Sequence, residues 1–355
     1  MKSNAFMTAV VVIFQVVLLA GCEVPQTVFD DRIKVLGTNA EITIIGLSDT
    51  DAREAAVAVE HELRVLDHVG YTFKPEGELH ELNEAISGGG AMTVSTELKD
   101  LINSAKNIYT ARGGLINPAA GELVALWEFH CEKEDCDESP FPEEVQQLVV
   151  DKEKEVIEAQ PSMSDLVITG GVVSSINPAV KLEFGDMIRG YALDKAREYM
   201  KKAGVENAMI DIGGNIRSLG SRGEHPWWAP LWDEYRQHSN GYIELGENEA
   251  LVTVRAFDRS MGREDYVYRH MVDPRSGLPV SEIRFVTVLH EKALVANAAA
   301  AALLVAGLDD WAKVAEKMGV RSVMMVTRDG VIYTSTTMEE RIHWKERPER
   351  QHLVP

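Results

Sequence analysis

The stretch from Leu182 to Gly220, LEFGDMIRGYALDKAREYMKKAGVENAMIDIGGNIRSLG, leaves fewer folds open than any other part of the chain. A glycine- and acid-bearing turn opens a helix at about Ala192, and Gly204 stops it. A short apolar strand, Ala208 to Ile212, then runs into Gly213-Gly214. Two glycine turns therefore flank one helix and one strand. Glycine lets a backbone approach a ligand closely, and exposed N–H groups at such turns suit phosphate. The same pattern also fits an ordinary αβ unit with ordinary turns, so the spacing alone leaves both readings open.

The rest of the chain alternates strands and helices without a strict βαβ repeat, which argues an α+β class. Ala40, Ile42 and Ile44 alternate with Glu41 and Thr43, as in a half-buried strand. Ser48-Asp49-Thr50 offers caps to a helix whose apolar stripe runs Ala52, Ala55, Ala56, Val59, Leu63, Leu66. A second stripe runs from Leu98 to Tyr109 before Gly113-Gly114, and Glu143 to Asp151 reads as a short helix. Val167-Ile168 and Val172-Val173 flank Gly170-Gly171 as a hairpin. Trp311 to Met318 repeats the helical period, and Val320 to Val326 with Val331 to Tyr333 forms a closing hairpin around Asp329-Gly330. The aromatic segment holding Trp227, Trp228, Trp232 and Tyr235 fits either an irregular loop packed on the sheet or an aromatic surface for a partner.

Lys2 precedes an apolar run from Phe6 to Ala20 and then Leu19-Ala20-Gly21-Cys22. A short apolar stretch after a positive charge reads as a signal peptide rather than a spanning helix. The small residues before Cys22 resemble a bacterial lipoprotein cleavage box. The expectation is a signal peptide over 1–21, lipid on Cys22, a tether over 22–32, a main domain over 33–345 in one or two lobes, and a tail over 346–355. The chain is then held to a membrane on its extracytoplasmic, periplasmic side. The net charge of −20, from 36 basic and 56 acidic residues, repels nucleic acid and anionic lipid heads, so acyl chains must do the anchoring. Cys131 and Cys136 in HCEKEDC fit a small surface disulfide better than a zinc site with His130, because no second ligand pair has metal spacing.

Several segments together resemble the ApbE family, the FAD:protein FMN transferases. LEFGDMIRGYALD resembles the family's LDLGGIAKGYAVD, DIGGN its strand ending in GGD, and HMVDPRSG (His270 to Gly277) its HIIDPRTG. Weaker matches are Leu36-Gly37-Thr38, YTFKPEGELHELN at Tyr71 to Asn83, INPAAGELVALW at Ile116 to Trp127, and ALVANAAAAALLVAG from Ala293. The resemblance covers most of the chain and implies an ApbE-like, T-fold-related arrangement of mixed sheets with packed helices.

It also implies a reaction: FMN moves from FAD to a threonine of an extracytoplasmic target, a subunit of a redox complex, and AMP leaves. The roles it implies are His270 beside the attacking hydroxyl and Arg189 on the pyrophosphate. Tyr71 (or Phe73), Glu78 and Asn83 fall on the flavin side, and Gly185 and Gly190 in the middle motif. Asp211, Gly213 and Gly214 fall on the adenosine side, with Asp273 and Arg275 in the histidine motif. Asp273 and Arg275 fit equally a pair that pins a turn. Family members hold Mg²⁺ with an aspartate and a threonine, where this chain has Asn297 and Ala301. Four residues apart, both fall on one helix face. Glu183 and Asp186 remain as candidate metal ligands beside Asn297. The alternative reading is a catalytically silent FAD-binding or scaffold protein of the same fold.

Overall fold

The computed structural model describes residues 27–71, 76–112, 115–126, 151–152, 154–185, 187–233, 238–258, 268–269, 271–277, 280 and 282–354. Strands β1 (Val28–Val35) and β2 (Thr38–Ile45) form a hairpin ahead of helix α1 (Asp49–Gly70). Ser48 caps α1 by accepting a hydrogen bond from Asp51 N. Helix α2 (Glu78–Ser87), strand β3 (Ala91–Thr93), α3 (Thr96–Arg112) and the short α4 (Gly121–Leu126) follow. The hairpin β4 (Leu166–Thr169) and β5 (Val172–Ser175) turns on Gly170 and Gly171, both at positive φ. Then come α5 (Met187–Lys202), β6 (Asn207–Ile212) and β7 (Asn215–Leu219). Four more strands are β8 (Trp227–Asp233), β9 (His238–Leu245), β10 (Ala250–Arg255) and β11 (Phe257–Asp258). After β12 (Tyr268–Arg269) and β13 (Ile283–His290), helix α6 (Ala293–Met318) crosses the molecule. The chain closes with β14 (Ser322–Thr327), β15 (Ile332–Ser335), α7 (Thr336–Glu339), β16 (Ile342–Trp344) and β17 (Gln351–Val354).

Among the described residues, nine strands make the central sheet, in the order β1-β2-β6-β7-β10-β13-β14-β15-β17. Alternation of side chains sorts its residues between two cores. Ala40, Ile42, Val252, Val254, Val323 and Met325 face α1, α5 and α6. Ile45, Leu251, Phe285, Leu289, Met324 and Val326 face a second layer, the three-stranded sheet β16-β9-β8. Strand β13 is buried on both faces along nearly its whole length, which is why its sequence IRFVTVLH shows no clean alternation.

The aromatic segment is part of that second layer. Trp227 is buried and donates from Nε1 to Leu219 O at 3.2 Å, whereas Trp228 on the opposite face is exposed. Tyr235 lies outside the described residues.

Some boundaries differ from the sequence expectations. Helix α5 starts at Met187 rather than near Ala192, because Met187 and Ile188 are buried and extend the helix back to the Phe184 carbonyl. Helix α6 joins the Ala293 run and the Trp311 run through a break at Gly307 (φ 73°, ψ −178°) and ends at Gly319 in the left-handed region. By length and composition it is the one helix among the described residues able to cross a bilayer, but it is mostly buried between the sheet and α5. The sheet begins at Val28, within the stretch expected as a tether, and Gln351–Val354, within the expected tail, pairs in parallel with β15. Cys22, the Cys131–Cys136 loop with His130, and 143–150 lie outside the described residues.

Candidate functional site

A cavity of about 650 Å³ opens where the β1–β2 turn, the end of α1, the start of α5, the β6–β7 turn, the end of β10 and α6 converge. Its volume falls within the range of about 300–1,000 Å³ common for cofactor and ligand sites. Tyr71, Glu183, Gly185, Arg189, Gly213 and Asn297 all line it. So do Met271 and Pro274, which flank the expected Asp273. Val272 holds that turn by packing on Ala120 and Leu123 next to and within α4. The two glycine turns and the 271–274 segment therefore meet in one place.

Close packing of backbones shapes the walls. A Cβ on Gly37 would run into the Tyr71 hydroxyl, so the tyrosine ring lies directly on that turn. Gly213 sits at φ 63°, and a Cβ there would come within 2.9 Å of Thr38 Oγ1. Asn215, also in the lining, accepts from Thr253 N at 3.0 Å and ties β7 to β10.

The N–H groups of Gly185, Gly213 and Gly214 have acceptors within the protein. Gly185 N donates to Glu183 Oε1 at 2.7 Å, Gly213 N to Asn39 O at 3.0 Å, and Gly214 N to Asp211 Oδ1 at 2.6 Å. Each of these three N–H groups has a local acceptor within reach, so the turns partly close on themselves as they shape the cavity.

Several of the expected site residues have partners within the fold. Gly190 is absent from the lining. A Cβ on it would sit 2.8 Å from Ala293 O and 3.0 Å from Asn297 Cβ, so it lets α5 and α6 cross closely. Asn83 donates to Leu182 O at 2.9 Å and accepts from Leu182 N at 2.7 Å, pinning the strand-like segment that leads to Glu183. Glu78 accepts from Ser95 N and from Ser95 Oγ, at 2.6 Å for the latter, tying α2 to the start of α3. Asp211 and Gly214 are not in the lining either, and form the β6–β7 turn. Asp273 and Arg275 bond each other, with Nε to Oδ1 at 2.9 Å and the second guanidinium nitrogen to Oδ2 at 2.8 Å. Arg275 also reaches Val305 O at 3.2 Å. Of the two readings of that pair, the turn-pinning one describes its contacts. His270, Asp186 and Phe73 lie outside the described residues.

Asn297 is the unusual group. It is 1 % exposed, it lines the cavity, and neither its Oδ1 nor its Nδ2 has a hydrogen-bond partner among the described residues. An orphaned buried amide costs about 1–3 kcal/mol, and at a cavity wall a ligand or an ordered water can supply the missing partner. Ala301 lies on the same helix face and also lines the cavity.

Three contributors were missed in the sequence. Thr253 and Arg255 line the cavity from the end of β10. Asp194, in α5, caps α6 from outside: Oδ1 accepts from Ala293 N at 2.9 Å and Oδ2 from Leu294 N at 3.1 Å. Burial raises the Asp194 carboxyl above its ordinary value, while those two N–H bonds and the nearby Arg217 pull it down. An acid on the polar side of an amphipathic helix gives no sign of this work in the sequence.

The ApbE family description matches residues 36–325, which span every wall of the cavity. The chain belongs to the ApbE family. A Rhodobacter capsulatus protein named FAD:protein FMN transferase is 32% identical over 345 residues, covering 96% of this chain. The chain spans about 64% of that relative's length. A Vibrio cholerae protein of the same name is 26% identical over 332 residues, covering 90% of this chain and 93% of the relative. The crystal structure of the ApbE protein from Thermotoga maritima superimposes with a TM-score of 0.76 at 24% identity, covering 89% of this chain and all of that one. The Vibrio cholerae flavin transferase ApbE gives 0.72 at 24% identity over the same shares. The α+β, ApbE-like fold expected from the sequence is the fold observed.

The ApbE cavity fits a flavin dinucleotide in size, in its glycine-cut walls and in the orphaned amide. The described residues alone fit Mg²⁺ poorly, and Asp186, the other candidate ligand, lies outside them. Among the described residues no group of three or more His, Cys, Asp or Glu is placed to hold a metal. Glu183 is the one carboxylate described in the lining, and its Oε1 already serves Gly185 N. Mg²⁺ demands oxygen ligands in near-octahedral array. A neutral amide and the methyl of Ala301 are a weak start on that.

Proposed function

We propose that this chain is an FAD:protein FMN transferase. The observation that carries the reading is the convergence of Tyr71, Gly185, Arg189, Gly213, Met271 and Asn297 on one cavity of cofactor size. FAD is the donor substrate in this reading. The incoming threonine oxygen forms a bond to the FMN phosphorus. The bond from that phosphorus to the bridging oxygen breaks, and AMP carries the bridging oxygen away. The hydroxyl proton passes to a base, for which His270 is the proposed group. Tyr71 offers a face for the isoalloxazine ring. Arg189 offers a planar fork of donors to the pyrophosphate, matched to phosphate oxygens as a lysine would not be.

The acceptor in this reading is an exposed threonine of an extracytoplasmic flavoprotein subunit. Its support is the lipoprotein-like sequence Leu19-Ala20-Gly21-Cys22, which would tie the chain to a membrane through lipid on Cys22. Expressed in a bacterium, the chain should partition with membranes and take up labelled fatty acid, and Cys22→Ala should do neither. Unlabelled wild-type protein would remove the anchor.

The activity is tested with the soluble form, FAD and a purified acceptor subunit. Covalent flavin fluorescence on the acceptor and an equal amount of AMP are expected. FAD bound firmly with no AMP formed would overturn the transferase reading.

A further inference from the structure

We infer that the break in α6 at Gly307 is the seat on which the 271–277 turn is set against the cavity, and that Arg275 and Glu282 are the positioning residues that hold it there. The inference rests on the reading above that the cavity is the transferase site.

A break leaves two helix ends inside one element. The half before Gly307 ends in C=O groups with partial negative charge, and the half after it begins with N–H groups with partial positive charge. Each end meets the matching side chain. Arg275 donates from Nη2 to Val305 O at 3.2 Å, and Leu308 N donates to Glu282 Oε2 at 3.2 Å. In an unbroken helix those two groups would pair with Asp309 N and Leu304 O, four residues away. Both clamping side chains come from the one loop that leads into β13. Its backbone closes on itself through Gly277 N to Asp273 O at 2.8 Å and Val280 N to Met271 O at 2.9 Å. Asp273 holds the Arg275 guanidinium by two nitrogens, so the fork is aimed where it meets α6.

Gly307 makes the seat possible. Its φ of 73° and ψ of −178° fall in a region that essentially only glycine occupies. A Cβ there would also come within 3.2 Å of Glu282 Oε2, the atom that bonds Leu308 N.

The first half of α6 carries more than this seat. Asn297 and Ala301 line the cavity from it, and Val305 follows Asn297 by about two turns, roughly 12 Å along the axis. Met271 and Pro274 line the cavity from the turn. Arg275 therefore fixes two cavity walls relative to each other. Val272, packed on Ala120 and Leu123, anchors the turn toward α4 and leaves its distance from α6 unset.

The test uses the detergent-solubilised full chain and its Arg275→Ala and Gly307→Ala variants. Amides of 271–282 should exchange hydrogen about tenfold or more faster in both variants, with β14 unchanged. Arg275→Ala should keep the wild-type melting temperature, since an exposed ion pair contributes little stability. Its transfer rate should fall about tenfold or more, as misplaced reacting groups do. Arg275→Lys keeps the charge without the fork and should recover part of that loss. Arg350→Ala breaks a similarly exposed pair with Asp329 and should match wild type in exchange within 271–282 and in rate. A lower melting temperature with the wild-type rate per folded molecule would overturn the inference, as would unchanged exchange in Arg275→Ala. Should Gly307→Ala fail to fold, the alanine and lysine variants of Arg275 decide. Should wild type release no AMP, the transferase reading falls and the Kd for FAD replaces the rate. A Kd raised about threefold or more in Arg275→Ala would then keep the seat, and an unchanged one would overturn it. Absence of FAD binding by wild type would overturn both.

Discussion

Gly190 and Asn297 face each other across the crossing of α5 and α6, with room for no atom between them: a Cβ on Gly190 would lie 3.0 Å from Asn297 Cβ and 2.8 Å from Ala293 O. This contact sets how deeply Asn297 enters the cavity wall and how Arg189, one residue earlier, is aimed. Gly190→Ala must push backbone against backbone, since Ala293 O cannot turn aside as a side chain would. We expect a loss of about 1–3 kcal/mol in stability, as for other overpacked cores. FAD affinity should fall as well, because both lining residues ride on the displaced helices. Thermal melting and an FAD titration measure the two effects. A variant with wild-type melting and affinity would mean that the helices can separate at no cost.

Asn83 and Leu182 make the sheet-like contact that fixes the approach to Glu183. The amide satisfies both the N–H and the C=O of one fully buried residue. Asn83→Ala leaves both orphaned, and each unpaired buried group costs about 1–3 kcal/mol. The expected sum is roughly 2–6 kcal/mol by denaturant titration. Weaker FAD binding should accompany it, since the 183–185 wall is hung from this contact. Stability equal to wild type would show that water replaces the amide.

What could be read from the sequence depended on whether one face or two are buried. Ala40, Ile42 and Ile44 announce β2 because Glu41 and Thr43 between them face outward or half outward. Nothing announces β13 in the same way, because its residues are buried on both sides and a continuous apolar run has no period. The glycine turns were visible in position, since positive φ at Gly185 and Gly213 needs glycine. Their N–H directions were not, because those depend on Glu183, Asn39 and Asp211 as local acceptors. Arg255 was invisible as a site residue. A charged residue at the exposed end of a strand looks like surface until the fold places it in one cavity wall with Met271 and Pro274.

Trp227 and Trp228 separate the two readings of the aromatic segment. Trp227 fills the core between the two sheets and bonds Leu219 O, whereas Trp228 is 46% exposed. Trp227→Ala should cost about 3–5 kcal/mol, the usual range for a buried aromatic. Trp228→Ala should change stability by less than about 1 kcal/mol, as surface substitutions do. Melting curves of the two variants test this directly. Equal losses would mean that the ring's contacts with Tyr242 and Arg222 carry as much weight as the buried packing of Trp227.

Asp211 gives the clearest pH signature. Burial pushes its carboxyl from the ordinary 3.8 up to about 6, and the nearby Glu41 adds to the rise, while the bond from Gly214 N opposes it. A raised folded-state value means that the folded protein holds this proton more tightly than the unfolded chain does. The stability it contributes is complete below about pH 4 and is lost as the pH rises through about 6. Asp211→Asn keeps an oxygen for Gly214 N and removes the titration. The variant should therefore gain on wild type as pH rises from about 4 to 7, by roughly 1–3 kcal/mol after allowance for solvent at the turn, and the gain should level off above that. Urea denaturation of both proteins across this range measures the difference. A difference that stays constant with pH would show that Asp211 ionises in the folded protein as it does in the open chain.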